Sequence, residues 1–236
     1  MLRNLRSAMR FRRFEWNPEL RRLSQAACTE DLRRIAQKRL PQGVFDYIDG
    51  GAEDETALAR NQAAFEQIKF RPRILRDVSH VKTQTTLLGQ PLEYPLVLAP
   101  TGFTRIAHSQ GELAAARAAE KAGIPYTLST LGTRSIEEVA SVSQGRKWFQ
   151  VYVWRDRGLV QEMLDRAASH QYEAIMITLD TPVLGRRERD IRNGFTLPPQ
   201  LGLDTVLSGV THPSWTWDFL RAEPITFANV GGHSEG

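Results

Sequence analysis

Four short apolar runs in this chain each end on side chains that donate or accept hydrogen bonds. YPLVLAP (94–100) leads into Thr101, and IPYTLST (124–130) ends on Ser129 and Thr130. KWFQVYVW (147–154) carries Gln150 and Tyr152, and AIMITLDTP (174–182) carries Thr178, Asp180 and Thr181. If the runs are parallel strands, these groups gather at one end of a sheet, where they can bind and orient a polar ligand. Strand ends meeting ordinary polar loops would share part of this pattern. Gln150, however, sits inside an apolar run, and a buried amide needs partners. Asp180 fits a structural hydrogen bond at a strand end better than a base. Arg187 lies in the charge run GRRERDIR (185–192), by default a solvated surface, and Tyr47 alone reads as an amphipathic core aromatic. None of His80, His108, His170, His212 and His233 follows a strand in this way, and no metal-ligand set is assigned. Cys28 has no second cysteine to pair with, so nothing requires an oxidising compartment.

Helical patterns fill the intervals between these runs. GELAAARAAEKAG (111–123) closes on a glycine. A pattern over 136–142 follows, and another over 158–170 carries the stripe Leu159, Val160, Met163, Leu164, Ala167 and Ala168. The strand starts recur about every 27 residues, near the size of one unit in an eightfold barrel of ~250 residues. Alternating β and α fits either a doubly wound sheet or a (β/α)8 barrel. No Gly-x-Gly-x-x-Gly follows the first run, so the dinucleotide-binding sheet loses its main support, and the polar strand ends favour the barrel. The expected fold is α/β: a (β/α)8 TIM barrel, represented by its N-terminal helices and about the first four β/α units. Upstream, Thr29 is placed to cap a helix with Glu30 and Asp31 in its first turn, stopped by Pro41. A second helical pattern runs over about 53–65, and 85–93 reads as a hairpin plugging one end of the structure.

A composition of 41% hydrophobic and 25% charged residues is ordinary for a globular protein, and no run approaches the ~18 apolar residues of a membrane span. The net charge of +4 invites a nucleic-acid reading. Much of the excess sits in the first 28 residues, however, where seven arginines from Arg3 to Arg22 face only Glu15 and Glu19, and no RNA- or DNA-binding motif is present. Interleaved Leu2, Leu5, Met9, Phe11, Phe14 and Trp16 make this extension partly amphipathic. It is either a solvated terminus or an arm lying on an anionic membrane surface, with a weak presequence signal as a third reading. Cytoplasm is the default location, with a peripheral place on the inner face of the cell membrane as the alternative.

Several longer stretches carry a resemblance. FDYIDGGAEDE (45–55), FRPRILRDV (70–78), LAPTGF (98–103), TLST (127–130), WFQVYVWRDR (148–157) and TLDTPVLGRRERDIRNGF (178–195) resemble the FMN-dependent α-hydroxy-acid dehydrogenases and oxidases. The likeness runs from about Asp31 to Ala228. STLGT (129–133), HPSWTWDFL (212–220) and the basic extension are most similar to respiratory-chain-linked bacterial L-lactate dehydrogenases. The resemblance implies that Pro100, Thr101 and Gly102 lie against the flavin, and that Ser129, Gln150 and Thr178 hydrogen-bond its ring. It further implies that Tyr47 and Arg187 hold the substrate carboxylate and that Tyr152 contacts the hydroxyl being oxidised. An arginine fork and neutral phenols suit those tasks chemically. Leu131 stands where glycolate-oxidising relatives often carry a bulky aromatic. FMN is the implied cofactor, a 2-hydroxy acid the substrate, and a quinone or cytochrome the electron acceptor, with a homo-oligomer as the full-length assembly.

Oxidising a 2-hydroxy acid also needs a base for the hydroxyl proton. In the resembled family that base is a histidine closely followed by an arginine on a later strand. A flavin-facing lysine and a phosphate site also lie further on. The base is therefore expected beyond the chain end. Residues 29–228 read as the N-terminal part of the flavin domain, and NVGGHSEG (229–236) as a flexible tail. A non-catalytic half-barrel that associates with a complementary chain is the competing reading.

Overall fold

The computed structural model describes residues 15–181, 183, 185–194 and 208–230. In chain order its helices are α1 (Pro18–Leu23), α2 (Thr29–Arg39), α3 (Gln42–Asp49), α4 (Thr56–Glu66), α5 (Gly111–Ala122), α6 (Ile136–Val142), α7 (Arg157–Ser169), α8 (Glu188–Arg192) and α9 (Pro213–Arg221). The strands are β1 (Thr85–Leu87), β2 (Gln90–Leu92), β3 (Tyr126–Ser129), β4 (Lys147–Tyr152) and β5 (Ala174–Thr178). The first two form the expected antiparallel hairpin, and β3, β4 and β5 pair in parallel in that order. The chain thus builds part of a parallel β/α barrel.

Side chains alternate across a strand, so the register sorts the sheet into two faces. Ser129 lies opposite Gln150, and Tyr152 opposite Thr178, which puts all four on one face. Leu128, Phe149 and Val151 point the other way and pack with Ile136, Val139, Leu159 and Met163 of α6 and α7. Each large apolar side chain buried there contributes about 1.5–3 kcal/mol. A second cluster of Leu40, Val44, Phe45, Phe103 and Ile106, with Trp215 and Phe227 against it, joins α2 and α3 to the 103–106 turn and α9. It fixes Tyr47 close to the strand ends.

Several expectations need correction. The run 94–100 is not a strand: only Leu98 bridges to Tyr126, through Leu98 N–H to Pro125 O (3.0 Å) and Thr127 N–H to Leu98 O (3.1 Å). Pro95 and Pro100 cannot donate to a ladder, so the described sheet has three strands and one bridged segment. Thr29 does not cap α2. Asp31 reaches back instead and accepts the Ala27 N–H at 2.9 Å. The helix after Gly51 starts at Thr56, because Glu53 and Glu55 have left-handed φ values of 50° and 61°. The N-terminal extension contains α1, with residues 1–14 outside the described region. Asn229 and Val230, expected to start a tail, are instead packed. Asn229 is buried, its Oδ1 accepts the Ile136 N–H (3.0 Å), and Val230 packs on the core. The remaining six residues lie outside the described region.

Candidate active site

The ends of β3, β4 and β5 carry one continuous row of polar contacts. Ser129 Oγ donates to Gln150 Oε1 (3.1 Å), which also accepts the Thr130 N–H (3.2 Å). Gln150 Nε2 donates to Thr178 Oγ1 at 2.8 Å. Gln150 and Ser129 are buried, and Thr178 is half-buried. The partners that a buried amide requires are therefore the other two residues of the predicted trio. An amide nitrogen carries two N–H groups and a hydroxyl donates once. The row therefore leaves one Gln150 N–H and the Thr178 O–H for a ligand. Those donors suit the carbonyl- and nitrogen-bearing edge of a flavin.

The turn at 100–103 faces this row from the neighbouring segment. A Cβ on Gly102 would come within 3.0 Å of Leu131 Cβ and 3.2 Å of Leu131 O, so a side chain there would push Leu131 back by a few tenths of an ångström. Phe103 N–H donates to Leu131 O at 3.0 Å, and Phe103 holds a left-handed φ of 57°. For a residue with a side chain that conformation costs about 1–2 kcal/mol, and here buried contacts to Tyr47 and Phe227 retain it. The 130–133 turn is anchored from behind by buried Glu112, whose carboxylate accepts the Thr133 N–H (2.6 Å) and O–H (2.8 Å). Pro100 is half-buried and Thr101 exposed. The residues present thus fit a flat polar ring lying against the turn.

The proposed substrate trio also comes together. The Tyr47 ring meets Phe103 edge-on at 6.2 Å, and the Arg187 guanidinium carbon lies 5.2 Å from its centroid. Burial raises the Tyr47 pKa above its ordinary value; Arg187 opposes this, and Asp190 and the Tyr152 phenol add to it. Tyr152 is therefore an electrostatic neighbour of Tyr47, two residues beyond Gln150 on the same face of β4. The GRRERDIR run is only partly a solvated surface: Arg186, Ile191 and Arg192 are exposed, but Arg187, Glu188 and Arg189 are half-buried and Asp190 is buried. Arg189 pairs with Asp46, Asp49 (2.9 Å) and Glu55, while Arg33 clamps Asp49 from α2. The loop before it approaches closely, since a Cβ on Gly185 would stand 2.8 Å from Ala52 Cβ.

Two features depart from the sequence reading. Asp180 is exposed and makes no hydrogen bond among the described residues. Arg187 does not present an open fork: its Nε donates to Asp190 Oδ2 (2.5 Å) and its Nη2 to Tyr47 O (2.5 Å). Asp190, Glu112 and Thr133 were missed as supporting residues. An i,i+3 spacing from Arg187 would have flagged Asp190 had α8 been recognised as a helix.

Comparison with known proteins supplies the context. The FMN-dependent dehydrogenase family model matches residues 36–234. A provisionally named L-lactate dehydrogenase of Mycobacterium tuberculosis is 49% identical over 97% of this chain and 56% of its own length. The glycolate oxidase of Spinacia oleracea is 50% identical over 72% of this chain and 46% of its own. Among solved structures, the monotopic membrane protein (S)-mandelate dehydrogenase superposes with a TM-score of 0.84 at 42% identity, covering 87% of this chain and 55% of that one. The chain spans about half the length of these relatives.

Proposed function

The chain belongs to the FMN-dependent dehydrogenase family, and from that premise we propose that it forms part of an enzyme oxidising an L-2-hydroxy acid, with L-lactate to pyruvate as the leading reaction. The observation that carries this reading is the contiguity of the Ser129–Gln150–Thr178 row with Tyr47, Tyr152 and Arg187. Oxidation removes the hydroxyl proton and the α-hydrogen with its electron pair. When bound, FMN supplies the hydride acceptor.

The chain's own residues do the holding. Gln150 and Thr178 donate to the ring edge, Ser129 fixes the Gln150 amide, and the 100–102 turn provides a flat support. Arg187 and Tyr47 bind the carboxylate, and Tyr152 orients the hydroxyl. The relatives above are named for lactate and glycolate, and the mandelate enzyme extends the class to a larger 2-hydroxy acid. Leu131, which packs beside Gly102, favours lactate in this reading, because a leucine excludes less than the bulky aromatic of glycolate-oxidising relatives. Electrons leave to a quinone or cytochrome. No helix among the described residues is long and apolar enough to cross a membrane, and we place the protein peripherally on the inner face of the cell membrane.

Arg187→Met tests the assignment in the full-length flavoenzyme. Its KM for the hydroxy acid should rise strongly while kcat falls less, because a charged hydrogen bond is worth about 1.5–3 kcal/mol. Unchanged kinetics would remove Arg187 from the site.

A further inference from the structure

Arg187 and Asp190 form a unit whose geometry limits how a carboxylate can be met. A guanidinium has five N–H donors. The Arg187 Nε–H goes to Asp190 Oδ2 (2.5 Å), and Nη2 goes to the carbonyls of Tyr47 (2.5 Å) and Asp46 (3.3 Å). Among the described residues, only the two N–H groups of Nη1 remain without a partner. Resting on the reading of Arg187 given above, we propose that Asp190 is the positioning residue that turns Arg187 end-on, so that the substrate carboxylate is met by Nη1 beside the Tyr47 and Tyr152 phenols.

Asp190 is suited to that task and to no other visible one. It is only 7% exposed, and its Oδ1 has no hydrogen-bond partner among the described residues. Buried acceptors are normally paired, so the side chain is retained for what Oδ2 does. It does not hold α8 in place. Asn193 to Asp46, and Arg189 to Asp46, Asp49 and Glu55, already tie that helix to α3 and to the start of α4. Truncating Asp190 therefore leaves Arg187 held only through Nη2 and leaves the helix docked. Held at one nitrogen instead of two, the guanidinium can pivot about Nη2 and loses the pre-set direction of Nη1.

The experiment compares Asp190→Ala, Asp190→Asn and Arg187→Met in the full-length FMN-loaded enzyme. KM and kcat are measured for L-lactate, and Kd by calorimetry for pyruvate and for its amide, which lacks the carboxylate. Asp190→Ala should raise the lactate KM and the pyruvate Kd roughly tenfold or more, with kcat and the amide Kd changed by less than about threefold. Asp190→Asn keeps an acceptor of the same size facing Nε and should recover most of the loss. Equal loss of pyruvate and amide binding would mean a general disturbance and would overturn the proposal. Wild-type constants in Asp190→Ala beside impaired ones in Arg187→Met would overturn it alone. Wild-type constants in both would overturn the Arg187 assignment as well.

Discussion

A Cβ on Gly102 would stand 3.0 Å from that of Leu131, and in the proposed reading the sizes of these two residues set the room left beside the ring. Enlarging Leu131 should exclude the methyl of lactate more than the hydrogen of glycolate. We expect Leu131→Trp in the full-length enzyme to move the kcat/KM ratio toward glycolate by ~1–3 kcal/mol, the range for one methyl group. A wild-type enzyme that prefers glycolate would contradict the underlying assignment. At this scale the clustering of Ser129, Gln150 and Thr178 was legible, because Gln150 in an apolar run demands partners. The orientations of the site residues were not. The Arg187 fork is taken up by Asp190 and by a backbone 140 residues away in sequence, and the left-handed φ of Phe103 has no sequence signal, since phenylalanine rarely adopts it.

The element with the clearest signature is α6. Ser135 accepts the Glu138 N–H (3.1 Å) while Glu138 returns a bond to the Ser135 N–H (2.7 Å), a capping box. Its neighbour Glu137 bridges to Arg166 of α7 through two bonds of 2.7 and 2.9 Å. Mainly through these bonds, Arg166 lowers the Glu137 pKa from 4.5 to about 2. A carboxylate whose pKa is depressed on folding stabilises the fold above its unfolded value and loses that contribution as pH falls toward the folded one. Glu137→Gln should therefore cost ~0.5–1 kcal/mol at neutral pH, a modest figure because the pair is partly solvated. The difference from wild type should shrink as pH drops from 4.5 to about 2. Urea unfolding at a series of pH values checks this, and a constant difference would refute it. Helices α5, α6 and α7 were readable from periodicity and caps. The five-residue α8 is too short for periodicity to register, and the prolines that prevent 94–100 from pairing as a strand were read through.

At the scale of the molecule, the recurring strand spacing and the polar strand ends were enough to identify a parallel barrel. Surface behaviour was less legible. On α9, Trp215 turns inward, donating to Ile106 O (2.7 Å) and stacking on Phe219, whereas Trp217 is 60% and Leu220 73% exposed. Arg221 lies 4.0 Å over the Trp217 ring. Aromatic, aliphatic and cationic groups on one exposed side suit the interface of an anionic bilayer. The protein should sediment with anionic vesicles, less so in high salt or with Trp217→Ser and Leu220→Ser together. Equal binding by that double variant would exclude α9. The Ser129–Gln150–Thr178 row has one more consequence, for how the sheet assembles. A slip of one residue in β4 would carry Gln150 to the helix-covered side and Phe149 to the side that holds Ser129 and Thr178. The row proposed to receive the ring therefore also rejects a wrong alignment of its central strand, before any ligand arrives.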